Sequence, residues 1–238
     1  MATTINKQRL LTQLLTTARK LVETEPEPRP VLEQFLYAIC RENATPTQAE
    51  EAYRFLREAF FDWNEVRVSS VRELEEAFAG MPEAEARAQR LISFLQEVFE
   101  TTFSFDLESL HKKGLKQAAK QLTRYQAAND YACALVVQRS LGGHAIPLDP
   151  PSLRCVTRLG LVENAGEDLE TVRASLEHLV PKAKGPLFTE AISILAAEYC
   201  VEETPNCAAC PMNRECASAQ LGTVESVPAT RAHRPKPR

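Results

Sequence analysis

The sequence predicts an all-α protein. Apolar residues recur at helical spacing along nearly the whole 238-residue chain, and no segment alternates as a half-buried strand would. Glycine is scarce, at 8 residues, which argues against many tight hairpins. Hydrophobic residues make up 44% and charged residues 25%, as in a soluble globular protein. No apolar run approaches the ~20 residues that span a bilayer, so we expect no membrane association.

The helices can be followed in order. An amphipathic N-terminal segment, 10–21, precedes Glu23–Pro30, whose three prolines and three glutamates predict a hinge. A helix is expected to start after Thr45, because Thr45, Pro46 and Gln48 form a capping-box pattern. Further helical segments are predicted at 71–78, 84–99, 107–122, 131–137, 169–179 and 187–199. The chain therefore consists of about ten helices.

Two features concern domain organisation and charge. Gly142–Pro151 is the densest cluster of helix breakers in the interior, so a subdomain boundary is expected near residue 145. The formal charge is −4, which by itself argues against a nucleic-acid partner. The segment 221–238 reads as a disordered basic tail, with four cations near its end: Arg231, Arg234, Lys236 and Arg238.

Four cysteines crowd into the C-terminal region with the spacing C-x6-C-x2-C-x5-C: Cys200, Cys207, Cys210 and Cys216. Soft thiolates suit zinc or an iron–sulfur cluster. A structural zinc usually takes two close pairs, whereas only one pair is close here, which favours a [4Fe–4S] cluster. Zinc and a pair of disulfides remain alternatives, although disulfides need an oxidising compartment and no export signal is present. We expect the other three cysteines to be buried structural residues: Cys40, Cys133 and Cys155.

The residues after the breaker cluster resemble a known family. The stretch 148–162 reads L-D-P-P-S-L-R-C-V-T-R-L-G-L-V and is similar to V-D-T-H-(apolar)-x-R-V-x-x-R-L-G-L of the endonuclease III branch of the helix-hairpin-helix (HhH-GPD) DNA glycosylases. Asn43-Ala44-Thr45 is similar to that family's Q-A-T after an early helix at 32–45. The resemblance covers 10–220, weakly before residue 141 and strongly after it, and includes the cysteine spacing.

The resemblance implies a specific architecture and activity. Two helical subdomains would flank a cleft, with a six-helix barrel at 23–145. A cluster subdomain at 146–220, with its cluster loop at 200–216, would pack with the N-terminal helix at 1–22. DNA would bind across the cleft, and a damaged base would be flipped out for cleavage of its N-glycosidic bond. Asp149 falls on the catalytic carboxylate, although an aspartate before Pro-Pro is also a good helix cap.

The sequence departs from that family at its hairpin. The nine residues aligned with L-P-G-(V/I)-G-x-K-T-A are 125–133, and they lack both glycines. Tyr131 stands at the position of the lysine that forms a Schiff base in bifunctional members, and a phenol cannot form an imine. Efficient abasic-site (AP) lyase activity is therefore not expected. The loop 201–206 carries two acidic residues where phosphate contact is expected, which also weakens DNA binding.

The resemblance therefore predicts a monofunctional DNA glycosylase of base-excision repair that acts on double-stranded DNA with a weak phosphate anchor. The expected DNA contacts are Asn43, Lys113, Lys116, Lys120 and Arg154. We expect a monomer in the cytoplasm, associated with the nucleoid if the source is prokaryotic. One alternative is a catalytically degenerate iron–sulfur protein that binds DNA or regulates on the same scaffold, and another is a zinc-stabilised helical interaction module.

Overall fold

The computed structural model describes residues 6–22, 29–162 and 168–221, and this part of the chain contains helices and no strand, which confirms the predicted all-α class. The helices are α1 (Lys7–Leu21), α2 (Val31–Arg41), α3 (Pro46–Ala59), α4 (Trp63–Val68), α5 (Val71–Glu75), α6 (Ala84–Thr102), α7 (Leu115–Leu122), α8 (Asp130–Arg139), α9 (Pro150–Leu159), α10 (Leu169–Leu179), α11 (Gly185–Glu198) and α12 (Ala217–Gln220). None of them is long and apolar enough to cross a membrane. The predicted basic tail lies outside the described residues apart from Leu221, and so does most of the predicted hinge at 23–30.

The local signals at helix starts are confirmed. The side chain of Thr45 accepts from the Gln48 backbone N–H at 3.0 Å, and the Gln48 side chain accepts from the Thr45 N–H at 3.1 Å. This capping box satisfies two N–H groups at the start of α3, and Pro46 occupies the first helical position.

The single helix predicted at 107–122 is wrong. A short 3-10 turn, Glu108–Lys112, is separated from α7 by Gly114, whose extended backbone (φ −59°, ψ 144°) ends the helical path. Periodicity alone does not detect such a break, because the apolar residues on both sides still face one core. Lys113 therefore lies before α7, whereas Lys116 and Lys120 lie one turn apart on it.

The apolar side chains form two large cores. One is built from side chains of 31–136 and includes the stacked rings of Phe35 and Phe94, whose centroids lie 3.9 Å apart. The other combines Leu10, Leu11 and Leu14 of α1 with residues of 146–212. The N-terminal helix thus packs against α11, far along the chain. The buried apolar side chains of the described residues thus fall into two large clusters, and the division into subdomains stays a prediction.

Candidate functional site

Asp149 lies where the two cores meet. It caps α9, because its Oδ1 accepts the backbone N–H of Ser152 at 2.9 Å. Its Oδ2 accepts the backbone N–H of Asn43 at 2.9 Å, from the segment that follows α2 in the other core. The residue is only 5% exposed. The helix cap and a contact with the segment after α2 therefore coexist in one side chain, and each carboxylate oxygen accepts one backbone N–H.

Asn43, which contacts Asp149, has an unusual backbone conformation. Its φ is +53°, in the left-handed region that asparagine tolerates better than most residues. This conformation turns the chain after α2, whereas the direction of the Asn43 N–H is set by the planar Glu42–Asn43 peptide. The Oδ1 of Asn43 is buried without a hydrogen-bond partner. The two sequence-predicted residues Asn43 and Asp149 are therefore in direct contact.

Tyr131 stands near the same junction, as the second residue of α8. It is 5% exposed, and burial raises the pKa of its phenol well above the usual value, with the charge of Asp149 acting in the same direction and that of Arg41 opposing it. The phenol therefore stays protonated at neutral pH. It can donate a hydrogen bond beside Asp149, but it offers no amine to an aldehyde.

A buried ion group next to Tyr131 was not predicted from the sequence. The Arg41 guanidinium, 2% exposed, donates to Glu190 Oε2 at 3.3 Å, and Arg139 donates to Glu190 Oε1 at 2.7 Å. Arg41 ends α2 and Glu190 lies on α11, so this pair joins the two cores. The sequence signal for it was a glutamate flanked by the apolar residues of α11, since such residues are seldom buried without a partner.

The four predicted ligand cysteines line one cavity between α9, α11 and α12: Cys200, Cys207, Cys210 and Cys216. A fifth thiol, Cys155, also lines the cavity, and it is buried as expected, with 1% of its surface exposed. All five are free thiols. Within the described part of the chain, no three Cys, His, Asp or Glu side chains are arranged to hold a single metal ion.

Charge and burial act in opposite directions on these thiols. The adjacent Cys155 thiol lowers the pKa of Cys200 to about 6, and the Arg158 guanidinium, which donates to Cys200 Sγ at 3.8 Å, adds to the effect. Burial raises the pKa of Cys210 to about 11. Contact with Cys200 raises the pKa of Cys155 well above its usual value. The cavity therefore favours a thiolate at Cys200 first.

The two arginines of the family-like stretch turn toward the cysteine loop. Arg154 donates from Nε to the Cys200 carbonyl at 2.9 Å, and its Nη1 lies 3.9 Å from the Glu202 carboxylate. Arg158 donates to the carbonyls of Val201 and Glu202 at 2.6 and 2.9 Å. Arg154, expected to contact DNA, thus also supports the loop, and part of the acidic charge of that loop is balanced within the chain.

The expected basic surface lies along α7 and the turn before it. Lys116 and Lys120 are exposed, and Lys113 is exposed with its Nζ donating to Gln121. Their charges point away from the core, as a phosphate-binding face or a solvated helix face would. The structure therefore presents these three lysines together on one helix and the turn before it.

Residues 123–129 connect α7 to α8 at the position of the predicted hairpin. Side chains from other parts of the chain contact this turn. The Asn129 side chain donates to the Glu42 carboxylate at 2.7 Å. Glu97 accepts the Gln126 backbone N–H at 2.8 Å, so one N–H of the turn already holds an anionic oxygen. A DNA phosphate would compete with this carboxylate for that N–H.

The sequence matches no protein-family model and no curated protein. Solved structures, by contrast, match nearly the whole chain. A non-covalent endonuclease III–DNA complex is 16% identical with a TM-score of 0.69, and the match covers 92% of this chain and 99% of that chain. A thermostable thymine-DNA glycosylase is also 16% identical, with a TM-score of 0.67 over 90% of this chain and 97% of that chain.

A third matching structure is a DNA glycosylase with a bound ligand. The H. pylori 3-methyladenine DNA glycosylase bound to 1,N6-ethenoadenine is 13% identical, with a TM-score of 0.61 over 80% of this chain and 96% of that chain. At these identities the likeness concerns the fold. The chain therefore has the all-α fold of the endonuclease III-like, helix-hairpin-helix DNA glycosylases.

Proposed function

We propose that the protein is an endonuclease III-like DNA glycosylase of base-excision repair, which cleaves the N-glycosidic bond of a flipped damaged base. The observation that carries this proposal is the buried Asp149 carboxylate, held by two backbone N–H groups at the junction of the two cores. Flipping is physically required, because an enzyme cannot reach the glycosidic bond within the base stack.

The chemistry proposed for Asp149 follows from its charge. As the base leaves, the sugar develops oxocarbenium-like positive charge, which a fixed carboxylate stabilises, or the carboxylate orients the attacking water. The Ser152 and Asn43 N–H groups keep the side chain in one orientation, so little reorganisation is needed during the reaction.

Tyr131 argues against an efficient AP lyase. Tyr131 occupies the position of the Schiff-base lysine and remains a neutral phenol. Hydrolysis would therefore release the free base and leave an abasic strand.

We further propose how DNA is held. Lys113, Lys116 and Lys120 would meet phosphates, with Asn43 near the gap left by the flipped base and Arg154 at the cysteine loop. The two cores support the proposed subdomains, with 1–22 packing on 146–220 and 23–145 forming the barrel. We propose a monomer that acts on duplex DNA in the cytoplasm or nucleoid.

We also propose that Cys200, Cys207, Cys210 and Cys216 hold a [4Fe–4S] cluster. The four thiols line one cavity, and a set of four thiolates with only one closely spaced pair suits a cluster better than a structural zinc. Such a cluster supplies a redox-capable, strongly held cross-link when bound. Arg158 and Arg154 fix the backbone at Cys200, so this ligand is oriented before any metal arrives.

The colour of the purified protein tests the cluster. Protein produced with iron and sulfide in excess should be brown, absorb at ~400 nm and contain iron and inorganic sulfide. Cys207→Ser should lose the absorbance, whereas Cys133→Ser, a buried thiol far from the cavity in sequence, should keep it. A colourless protein that contains zinc would contradict the assignment.

One specific observation favours the alternative, a catalytically degenerate iron–sulfur protein that binds DNA or regulates. The hairpin turn lacks its glycines, and Glu97 occupies the Gln126 N–H. Such a protein would keep the cluster and bind duplex DNA without excising any base.

A lesion panel separates the two functions. Duplexes with oxidised, deaminated, mismatched or alkylated bases are incubated with the wild type and with Asp149→Asn, and strand cleavage after alkali reports excision. We expect excision of at least one lesion by the wild type and its loss in Asp149→Asn, with duplex binding retained. Duplex binding by the wild type without excision across the panel would favour the degenerate protein.

A further inference from the structure

Arg87, on α6, is a buried cation that is hydrogen-bonded to the backbone. It is 6% exposed, and burial lowers the pKa of its guanidinium, while the charges of Glu42 and Glu83 act in the opposite direction. Within the described part of the chain no carboxylate lies within ion-pair distance of it. Its hydrogen bonds go instead to backbone carbonyls. A buried charge needs such partners, so the carbonyls that it contacts identify the segment that it holds.

That segment is the end of α2. The last carbonyls of a helix have no partner within it, and a cation there also interacts favourably with the negative end of the helix dipole. The Arg87 Nη1 donates to the carbonyls of Ile39 and Cys40 at 2.6 and 3.3 Å. Its Nη2 donates to the carbonyl of Glu42, one residue beyond the helix. One guanidinium therefore fastens the helix end and the first turn after it.

The Glu42 carbonyl matters because of what lies at the other end of its peptide group. The carbonyl of Glu42 and the N–H of Asn43 belong to one rigid, planar unit. Arg87 holds the carbonyl end of this unit, while the N–H end donates to Asp149 Oδ2 at 2.9 Å. The orientation of the N–H is thus fixed from its opposite side.

The backbone that follows Asn43 is also held by a hydrogen bond. Arg41 Nη1 donates to the Ala44 carbonyl at 2.6 Å, so Asn43 lies between two carbonyls held by guanidinium groups. Asn43 has the left-handed φ of +53°, which an asparagine adopts at some cost. Neighbouring hydrogen bonds are needed to keep such a conformation populated.

We propose that Arg87 is a positioning residue for Asp149, acting through the Glu42–Asn43 peptide. It touches neither DNA nor the carboxylate. It orients the one N–H that holds the second oxygen of Asp149 from across the subdomain junction. This inference rests on the proposed role of Asp149, so its test includes a measurement that needs no activity.

The test compares Arg87→Gln, Arg87→Lys and a matched control in the full chain. The control is Leu95→Ala, which removes a fully buried side chain from the same helix and lowers stability without removing any hydrogen bond to the Glu42–Asn43 peptide. Amide hydrogen exchange at Asn43 is followed by NMR, relative to core amides of α6. Excision of the best substrate of the panel gives kcat and KM.

In Arg87→Gln we expect the exchange of the Asn43 amide to rise about tenfold relative to the α6 core. We expect kcat to fall about tenfold with little change in KM, since DNA contacts remain. Arg87→Lys keeps the charge but not the planar fork, so intermediate values are expected. Leu95→Ala should leave the relative exchange at Asn43 and the kcat as in the wild type.

Two results separate this inference from the proposed function. If neither Arg87→Gln nor Arg87→Lys changes the relative exchange at Asn43, the positioning role is wrong, whatever the activity. If the wild type excises nothing while exchange at Asn43 rises as expected, the positioning of Asp149 stands and the glycosylase function fails.

Discussion

The buried ion group between the cores gives the sharpest stability prediction. Glu190 holds Arg41 and Arg139 at once, at 3.3 and 2.7 Å. Glu190→Gln preserves the size of the side chain but removes its charge, which leaves two buried guanidinium groups without a counter-ion. Breaking one partner of a buried pair costs about 3–5 kcal/mol, because the remaining charge stays desolvated.

That cost is large beside the total stability of about 5–15 kcal/mol for a typical domain. For a chain of this size, it corresponds to a fall in Tm of roughly 6–20 °C. The matched control is Glu202→Gln, which breaks the 3.9 Å pair with Arg154 at a carboxylate that is 84% exposed, while Arg154 keeps its hydrogen bond to the Cys200 carbonyl. We expect this control to cost less than about 1 kcal/mol.

Equilibrium urea unfolding followed by far-ultraviolet circular dichroism measures both variants, with differential scanning calorimetry for Tm. If Glu190→Gln unfolds within about 1 kcal/mol of the wild type, the buried pair does not tie the cores together as described. Equal losses in both variants would also contradict the reasoning, since burial would then not matter.

Three further predictions follow. Gly143→Ala should destabilise the protein by about 1–3 kcal/mol in urea unfolding, because the added Cβ would lie 2.4 Å from a Val137 methyl carbon. The control Gly114→Ala has open space around its Cβ and should be near neutral, so equal effects of the two variants would contradict this reasoning. Lys116→Ala should reduce the steepness of log K against log salt for duplex binding by about 1, and an unchanged slope would remove it from the phosphate contacts. Borohydride should trap no covalent adduct with substrate DNA, because Tyr131 carries no amine, and a trapped adduct would mean that another lysine serves.

The sequence predicted those parts of the fold that depend on neighbouring residues. The capping box at Thr45 and the N-cap at Asp149 are local patterns, in which a side chain meets an N–H three residues on, and both are present in the structure. The all-α class follows from the 3.6-residue period for the same reason. The break at Gly114 escaped detection, since one glycine changes the backbone without disturbing the apolar pattern.

The parts of the site that could not be predicted depend on distant residues. Arg41 and Glu190 are separated by 149 positions, and nothing in either local sequence names the other. The same holds for Arg87, whose four carbonyl partners leave no mark on the side-chain pattern. The family resemblance supplied Asp149 and Asn43 as candidates. It could not supply their direct contact, which joins residues 106 positions apart in the sequence.

The most direct test of the central claim is mass spectrometry of the reaction products on a single-lesion duplex, with the wild type and Asp149→Asn side by side. A monofunctional glycosylase releases the free damaged base and leaves an uncut abasic strand. We expect these two products from the wild type and neither from Asp149→Asn. If the wild type binds the lesion duplexes but every damaged strand remains intact after incubation, the account is contradicted.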